Sequence, residues 1–385
     1  FKMKIVVYCE QIHKRNSGGA AEFEIRVLSG IHSYIRNIDN KNNIEWILIS
    51  KLTNNKLVSK NLFNKKFKYY KYWINMNHNN YFLRLLSILF RTTSEQIIKK
   101  INPDLILSLG PYVLKSDFPS VSIFWDLSHE DLPFFKEFRL HGELSRRVKR
   151  FNDIKTINSL IIVGTNVMKN KLIDTGVFPN KVAVIPMPFQ IESKEEKNYK
   201  GSFEKFGKFI FYPANFWPHK NHLRLIKAFS KFIKYNTDID LYLSGNIPKD
   251  QIEEFQMILK DNLIDKSRLK HLGFLGESDY EKVVKSSMGL IYPSLLGPDN
   301  LPPIDFMSLN KPVAASNHDG HKEQTFNQCY YFDPYSVDQI ENALNWIVSS
   351  EAFHSSENYN KSGLINTNEY ARRLIDTILM KINNK

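Results

Sequence analysis

The chain has 385 residues, 42% hydrophobic and 24% charged, which excludes a disordered, collagen-like or low-complexity protein and leaves room for two domains with real cores. Two cysteines, Cys9 and Cys329, exclude a disulfide scaffold and a cysteine-built zinc cage and point to a reducing compartment. Lys and Arg number 53 against 40 Asp and Glu, a net charge of +13, so anionic partners are favoured: nucleic acid, phosphorylated small molecules or an acidic membrane face.

The first half opens as strand, glycine loop, helix. Lys4–Cys9 is apolar and rich in β-branched residues, and Asn16-Ser17-Gly18-Gly19 breaks it. Phe23, Val27, Ile31 and Ile35 then recur along one face of a helix over Ala20–Ile35. Trp46–Ser50 reads as a strand and Phe82–Lys100 as a helix. Lys60–Trp73 between them interleaves five lysines with six aromatic residues. That mixture suits an anionic membrane surface, single-stranded nucleic acid, or a strand with one wet face. Asp104–Leu109, Val121–Trp125 and Ser159–Gly164 read as strands, and Thr165-Asn166 as a helix start. The basic cluster Arg146-Arg147 with Lys149-Arg150 lies on a helix, and Val182–Pro186 closes this half.

Gln190–Gly207 is charged and poor in apolar residues, the composition of a linker. The pattern then restarts, with strands at Phe209–Tyr212, Asp240–Ser244, Leu269–Phe274, Gly289–Tyr292 and Val313–Ser316. Helices fall at Leu223–Ile233, Tyr280–Ser286, Ile304–Leu309 and, after a polar stretch, Glu369–Ile382. Alternating β and α elements in both halves predict two doubly wound α/β sheets, with the site at the carboxyl ends of their strands, in the cleft between them. The domains are expected at 3–190 and 200–360, with helix 368–385 returning to the first. No apolar run reaches the roughly 18 residues of a membrane span, and the N-terminus lacks a signal-peptide pattern.

Two blocks carry the chemistry. Phe211–His222 joins a strand to a helix and puts Lys220 near a helix N-terminus, where an anion is already favoured. Tyr292–Asp305 turns through Gly297-Pro298 and places Asn300 and Leu301 at a second helix start. Its prolines fall where a first turn tolerates them. Asp305, one turn in, is expected to reach the ribose next to a bound phosphate. His219 with His222, and His318 with His321 and Glu323, are weak metal candidates. Asp238-Ile239-Asp240 precedes its strand and so points away from the ligand edge. Neither a P-loop nor a Gly-x-Gly-x-x-Gly fingerprint occurs.

With these blocks in order, the chain resembles the retaining family-4 glycosyltransferases of the GT-B fold, closest to bacterial members of polysaccharide and lipopolysaccharide assembly. The likeness runs through Gly18-Gly19, Trp125–His129, Val163-Gly164-Thr165, Pro186-Met187-Pro188, Leu272–Leu275, Pro312–Ser316 and Tyr331–Pro334. It implies two Rossmann-like domains facing a cleft. A hexosyl unit would pass from a nucleotide-diphosphate sugar on the second domain to a saccharide or lipid-linked acceptor on the first. No metal, no other cofactor and no nucleic acid is involved on this reading. The resemblance assigns the donor to Asn215, Lys220, Gly273, Phe274, Asn300, Leu301 and Asp305, and the acceptor side of the cleft to Gly18, Gly19 and Asp126. Lys220 and His129 are the expected catalytic groups. The family's diphosphate arginine is Asn215 here, its first glutamate is Gly297, and its usual His-Asp is Trp125-Asp126. A cytoplasmic enzyme, peripheral on the inner membrane face through Lys60–Trp73, is the expectation. A non-catalytic relative and a basic nucleic-acid-binding protein are the alternatives.

Overall fold

The computed structural model describes residues 2–12, 18–37, 44–51, 67–72, 94–191, 207–261 and 267–383. Among them, β1 (Met3–Cys9), β2 (Ile44–Lys51), β3 (Phe67–Tyr72), β4 (Leu105–Ser108), β5 (Ser120–Ile123), β6 (Leu160–Val163) and β7 (Val182–Val184) form one sheet, in the order β3-β2-β1-β4-β5-β6-β7. After the short β8 (Pro188–Phe189) comes a second sheet. It contains β9 (Lys208–Pro213), β10 (Ile239–Ser244), β11 (Leu269–His271), β12 (Leu290–Tyr292), β13 (Val313–Ser316) and β14 (Tyr330–Phe332), in the order β11-β10-β9-β12-β13-β14. The ladders are parallel. This is why the central strands read as unbroken apolar runs: helices cover both faces.

Along the first sheet run α1 (Gly19–Asn37), α2 (Ser94–Ile101), α3 (Ser128–Asp131), α4 (Lys136–Arg139), α5 (Glu143–Ile157) and α6 (Asn166–Asp174). Along the second run α7 (His222–Phe232), α8 (Ile252–Asp261), α9 (Glu277–Ser286), α10 (Leu301–Ser308), α11 (Asp319–Gln324), α12 (Val337–Ile347) and α13 (Ser350–Glu357). After β15 (Ile365–Asn366), which pairs with β8, α14 (Thr367–Asn383) ends the described chain. Tyr370, Ala371, Leu374, Ile375 and Ile378 of α14 share a core with Ile5 of β1 and Phe23, Val27 and Ile31 of α1. The second sheet has its own core, from Ile191 through Tyr359.

Several elements differ from expectation. β11 stops at His271, because Gly273 takes a φ of +69° and turns the chain. Helix α9 begins at Glu277, after Gly276, rather than at Tyr280. Of Lys60–Trp73, only Phe67–Tyr72 is described, as edge strand β3 on β2, and the rest lies outside the described residues. So do 82–93 of the expected helix and 192–206 of the expected linker. Among the described residues, no helix is long and apolar enough to cross a membrane.

Candidate functional site

In each sheet the strand order reverses next to its first strand, between β1 and β4 and between β9 and β12. Loops leaving carboxyl strand ends beside such a reversal open a crevice. The loop after β1 leads to Gly18, Gly19 and α1. The loop after β9 runs through Asn215, Trp217 and Lys220 to α7. The loop after β12 leads to Asn300 and α10. These three loops line one cavity of about 240 Å³ between the halves, with Ser244, Gly245, Phe274, Leu275, Glu277 and Tyr280 along its other side. The volume suits a small molecule, not a polymer strand.

Lys220 is the cation at its centre. It sits in a 3-10 turn, Pro218–Lys220, ended by Asn221 at a φ of +61°. Tyr212 Oη donates to the Lys220 carbonyl at 2.7 Å and holds the turn. Lys220 Nζ donates to Tyr292 Oη at 3.1 Å, Asn300 Oδ1 at 3.3 Å and Ser294 Oγ at 3.5 Å. All three acceptors are neutral, so among the described residues no carboxylate cancels this charge. Asn300 is fixed in turn: Tyr292 Oη donates to its Oδ1 at 2.8 Å, and its Nδ2 lies 2.9 Å from His321 Nε2. Burial pulls the His321 pKa down to about 3, so the ring is neutral and accepts from Asn300. Helix α10 offers fewer donors than its position promised. Asn300 N–H is taken by Gln324 Oε1 at 2.9 Å, and Pro302 and Pro303 have none, which leaves Leu301.

Asn215, at the position of the family's arginine, does a structural job. Its Oδ1 accepts from Asn246 N–H at 2.8 Å, and its amide packs on Gly18. A Cβ at Gly18 would lie 2.5 Å from Asn215 Nδ2, and Gly18 takes a φ of +78°, so only glycine lets the two halves meet there. Gly273 is set back from the cavity; its carbonyl accepts from Gly245 N–H at 2.8 Å.

Asp305 is a correction. It is fully buried and does not line the cavity. Arg26, from α1 in the other half, donates to both its oxygens at 2.9 and 2.8 Å. Gln190 N–H at 3.1 Å and Tyr280 Oη at 3.2 Å complete its shell. Arg26 also reaches Glu22 Oε1 at 3.2 Å. Burial works against the Arg26 charge, but Asp305 and Glu22 outweigh it and hold its pKa above the ordinary value. Removing one partner of such a buried pair costs about 3–5 kcal/mol. Arg26, Glu22, Glu277 and Tyr280 were not singled out in the sequence. The available signal was an arginine on the buried stripe of α1, between Phe23 and Val27, four residues after Glu22.

Asp126, expected on the acceptor side, and His129, expected to be catalytic, are also placed differently. Asp126 accepts from Ser128 N–H at 2.9 Å and pairs with Arg147 at 3.5 Å, so it caps α3 instead of facing the cavity. His129 is buried edge-on against Phe151, and burial lowers its pKa. It does not line the cavity either. A cross-cleft imidazole is His219 of the second half, whose Nδ1 lies 2.7 Å from Glu137 Oε1 of the first. Asp299 crosses in the same region: a Cβ on Gly164 would fall 1.8 Å from its Oδ2. Burial, with Asp126 and Glu323 nearby, pushes the Asp299 carboxyl well above its usual range.

The metal candidates are committed elsewhere. His222 stacks on Phe216 at 3.8 Å, and burial takes its pKa down to about 3. Asp238 pairs with Lys208, and Asp240 with Arg268 and Lys270. Among the described residues, no cluster of three His, Cys, Asp or Glu could hold a metal ion. The basic cluster on α5 is a helix face, with Arg146 on Glu143 at 2.9 Å.

Residues 193–364 match the family model described as "Glycosyl transferases group 1". The chain is 20% identical over 276 residues to the serotype-specific mannosyltransferase WbdA of Escherichia coli, covering 67% of this chain and 34% of that protein. It therefore spans about a third of the length of the curated relatives it matches. Among solved structures it resembles sucrose-phosphate synthase from Thermosynechococcus elongatus, with a TM-score of 0.73 and 13% identity over 100% of both chains. It also resembles Anabaena HepE in complex with UDP and glucose, at 0.68 and 14% over 98% of this chain and 99% of that one. The fold is GT-B, two Rossmann-like units facing a cleft, and the match to the group 1 model falls on the second of them.

Proposed function

We propose that the chain is a retaining, metal-independent hexosyltransferase. It would move a sugar from a nucleotide-diphosphate sugar to a saccharide or lipid-linked acceptor in cell-surface polysaccharide or lipopolysaccharide assembly. The observation that carries this reading is Lys220: a lysine held by three neutral oxygens, uncancelled by any carboxylate among the described residues, in a cavity at the strand ends of both sheets. Breaking the bond between sugar and diphosphate builds negative charge on the β-phosphate. A fixed ammonium in a partly dry cleft stabilises that charge more than it stabilises the ground state. Leu301 N–H and the start of α1 at Gly18-Gly19 add dipoles beside it.

Phe274, with an exposed ring, and Leu275 offer apolar surface for the base. The expected carboxylate and imidazole, Asp126 and His129, stand outside the cavity. With Glu22 engaged by Arg26 and Glu277 by Gln190, the reading favours front-face attack by the acceptor hydroxyl, its proton passing to the leaving phosphate, over a covalent intermediate. Two free cysteines fit a reducing, cytoplasmic location. The basic charge fits an anionic membrane face carrying the acceptor.

Thermal-shift screening of nucleotide sugars, followed by product detection with and without EDTA, tests the reading. A ligand at 100 times its dissociation constant adds about 2.7 kcal/mol, and turnover should survive chelation. Loss of activity that manganese or magnesium restores would refute metal independence. Salt-dependent oligonucleotide binding with no nucleotide binding would refute the enzyme.

A further inference from the structure

We infer that the donor's ribose is read by Glu277, with Glu22 facing it from the other half, and not by Asp305. This rests on the nucleotide-sugar reading and names the groups that would recognise one part of the donor. Chemistry assigns the parts of the occupant: Lys220 with Asn300 suits the diphosphate, and the Phe274 and Leu275 side chains suit the base. A ribose joins base to diphosphate, so it falls between them. The charged side chains lining the remaining wall are Glu22, Arg26 and Glu277, with the Tyr280 hydroxyl beside them.

Asp305 lies behind that wall. Both its oxygens are engaged by the Arg26 guanidinium and further covered by Gln190 N–H and Tyr280 Oη. To accept from ribose hydroxyls it would have to release a buried arginine. Glu277 has nothing of the kind to surrender. It is exposed at the first residue of α9, and its Oε1 accepts from Gln190 Nε2. Its other oxygen has no partner among the described residues. Glu22 lines the cavity too, steadied by Arg26 Nε at 3.2 Å, and it feels the charge of Glu277. Vicinal hydroxyls donating one to each carboxylate would offset the repulsion between them. Gln190 donates its backbone N–H to Asp305 and its side-chain N–H to Glu277, which ties Glu277 to the buried Arg26–Asp305 pair.

The test is isothermal titration of the full chain with the four common nucleoside 5′-diphosphates, then with the 2′-deoxy form of the tightest. Wild type should favour the ribo form about tenfold or more, because a site built to bond a hydroxyl rejects the analogue lacking it. Glu277→Ala should cut that preference to about threefold or less, and Glu22→Gln should reduce it in part. Asp305→Asn, where it folds, should keep it. An unchanged ribo-to-deoxy ratio in both Glu277→Ala and Glu22→Gln overturns the inference while leaving the nucleotide site standing. So does a wild-type protein indifferent to the 2′-hydroxyl. Failure of every nucleoside diphosphate to bind wild type overturns the nucleotide reading and the inference with it.

Discussion

The two halves share a strand order, apart from one extra edge strand in the first, but they build their crevice loops from opposite chemistries. In the first half an acid shapes the loop. Glu24 reaches back from α1 to accept from the N–H groups of Glu10, Gln11 and Ile12 at 3.1, 2.8 and 2.7 Å, with Tyr112 Oη donating to it as well. In the second half, neutral imidazoles and amides do the shaping. His222 stacks on Phe216, Asn221 Nδ2 donates to the carbonyls of Pro293 and Pro334, and His321 steadies Asn300. A neutral scaffold leaves the lysine charge uncancelled for a ligand. An acid-built loop has no such use for a lysine, and the first half offers glycines and a helix start instead.

The largest expected effect tests whether the halves are one cooperative body. Arg26→Ala leaves Asp305 buried without its partner and should cost about 3–5 kcal/mol in chemical denaturation. If the halves unfold separately, the loss should appear in only one transition.

Acidity should act oppositely on the groups that shape the two loops, because they are buried imidazoles in the second half and a buried carboxyl in the first. His222 and His321 have pKa values near 3 in the folded state, by burial, against an ordinary 6.5. Below pH 6.5 the unfolded chain takes up protons that the folded one refuses. Their contribution is therefore complete above pH 6.5 and lost as pH falls. At about 1.4 kcal/mol per unit each, going from pH 6.5 to 5 costs about 4 kcal/mol. Burial raises Glu24 to about 7. The folded form keeps this proton where the unfolded form has lost it, so stability falls as pH rises from about 4.5 to 7. Acidifying from pH 7 to 5 should return about 2–3 kcal/mol. Hydrogen exchange at pH 7.5 and pH 5 should show the backbone around Phe216–His222 losing protection and that of Glu10–Ile12 gaining it. A uniform change would dissolve the contrast.

Lys220→Ala should lower kcat/KM by a factor equivalent to about 1.5–3 kcal/mol, with kcat falling more than donor affinity and little change in melting temperature. The smallest effect sharpens the same point. Asn300→Ala removes one acceptor from Lys220 and should cost about 1 kcal/mol of transition-state stabilisation. A larger loss would mean that Asn300 touches the donor itself.

Much of the architecture is legible in the amino-acid sequence, and for local reasons. The Phe23–Ile31 stripe, the apolar runs at Leu105–Ser108 and Leu160–Val163, and the strand-loop-helix order around Lys220 and Asn300 depend only on neighbours along the chain. They locate the crevice loops and the cation. What stays hidden depends on partners far apart in sequence. Arg26 and Asp305 stand 279 residues apart, and no periodicity links them, so Asp305 reads as available although Arg26 holds it. His129 and Asp126 follow a strand as an active-site pair would, but Phe151 and Arg147, brought in by α5, bury the one and pair with the other. Strand β3 is ambiguous because lysines alternating with aromatic residues fit a wet edge strand as well as a membrane surface.

One contact ties the cleft to secondary structure itself. Glu323, at the end of α11 in the second half, accepts from the N–H groups of Asn166 at 2.6 Å and Val167 at 2.9 Å, the first two residues of α6 in the first half. Thr165 caps the same helix through Met168 N–H at 3.2 Å. Parting the halves would therefore strip α6 of half its cap and fray its opening turn, at about 1 kcal/mol. The amide protons of Asn166 and Val167 thus form a built-in gauge of aperture, slow to exchange while the jaws are shut and fast once they part.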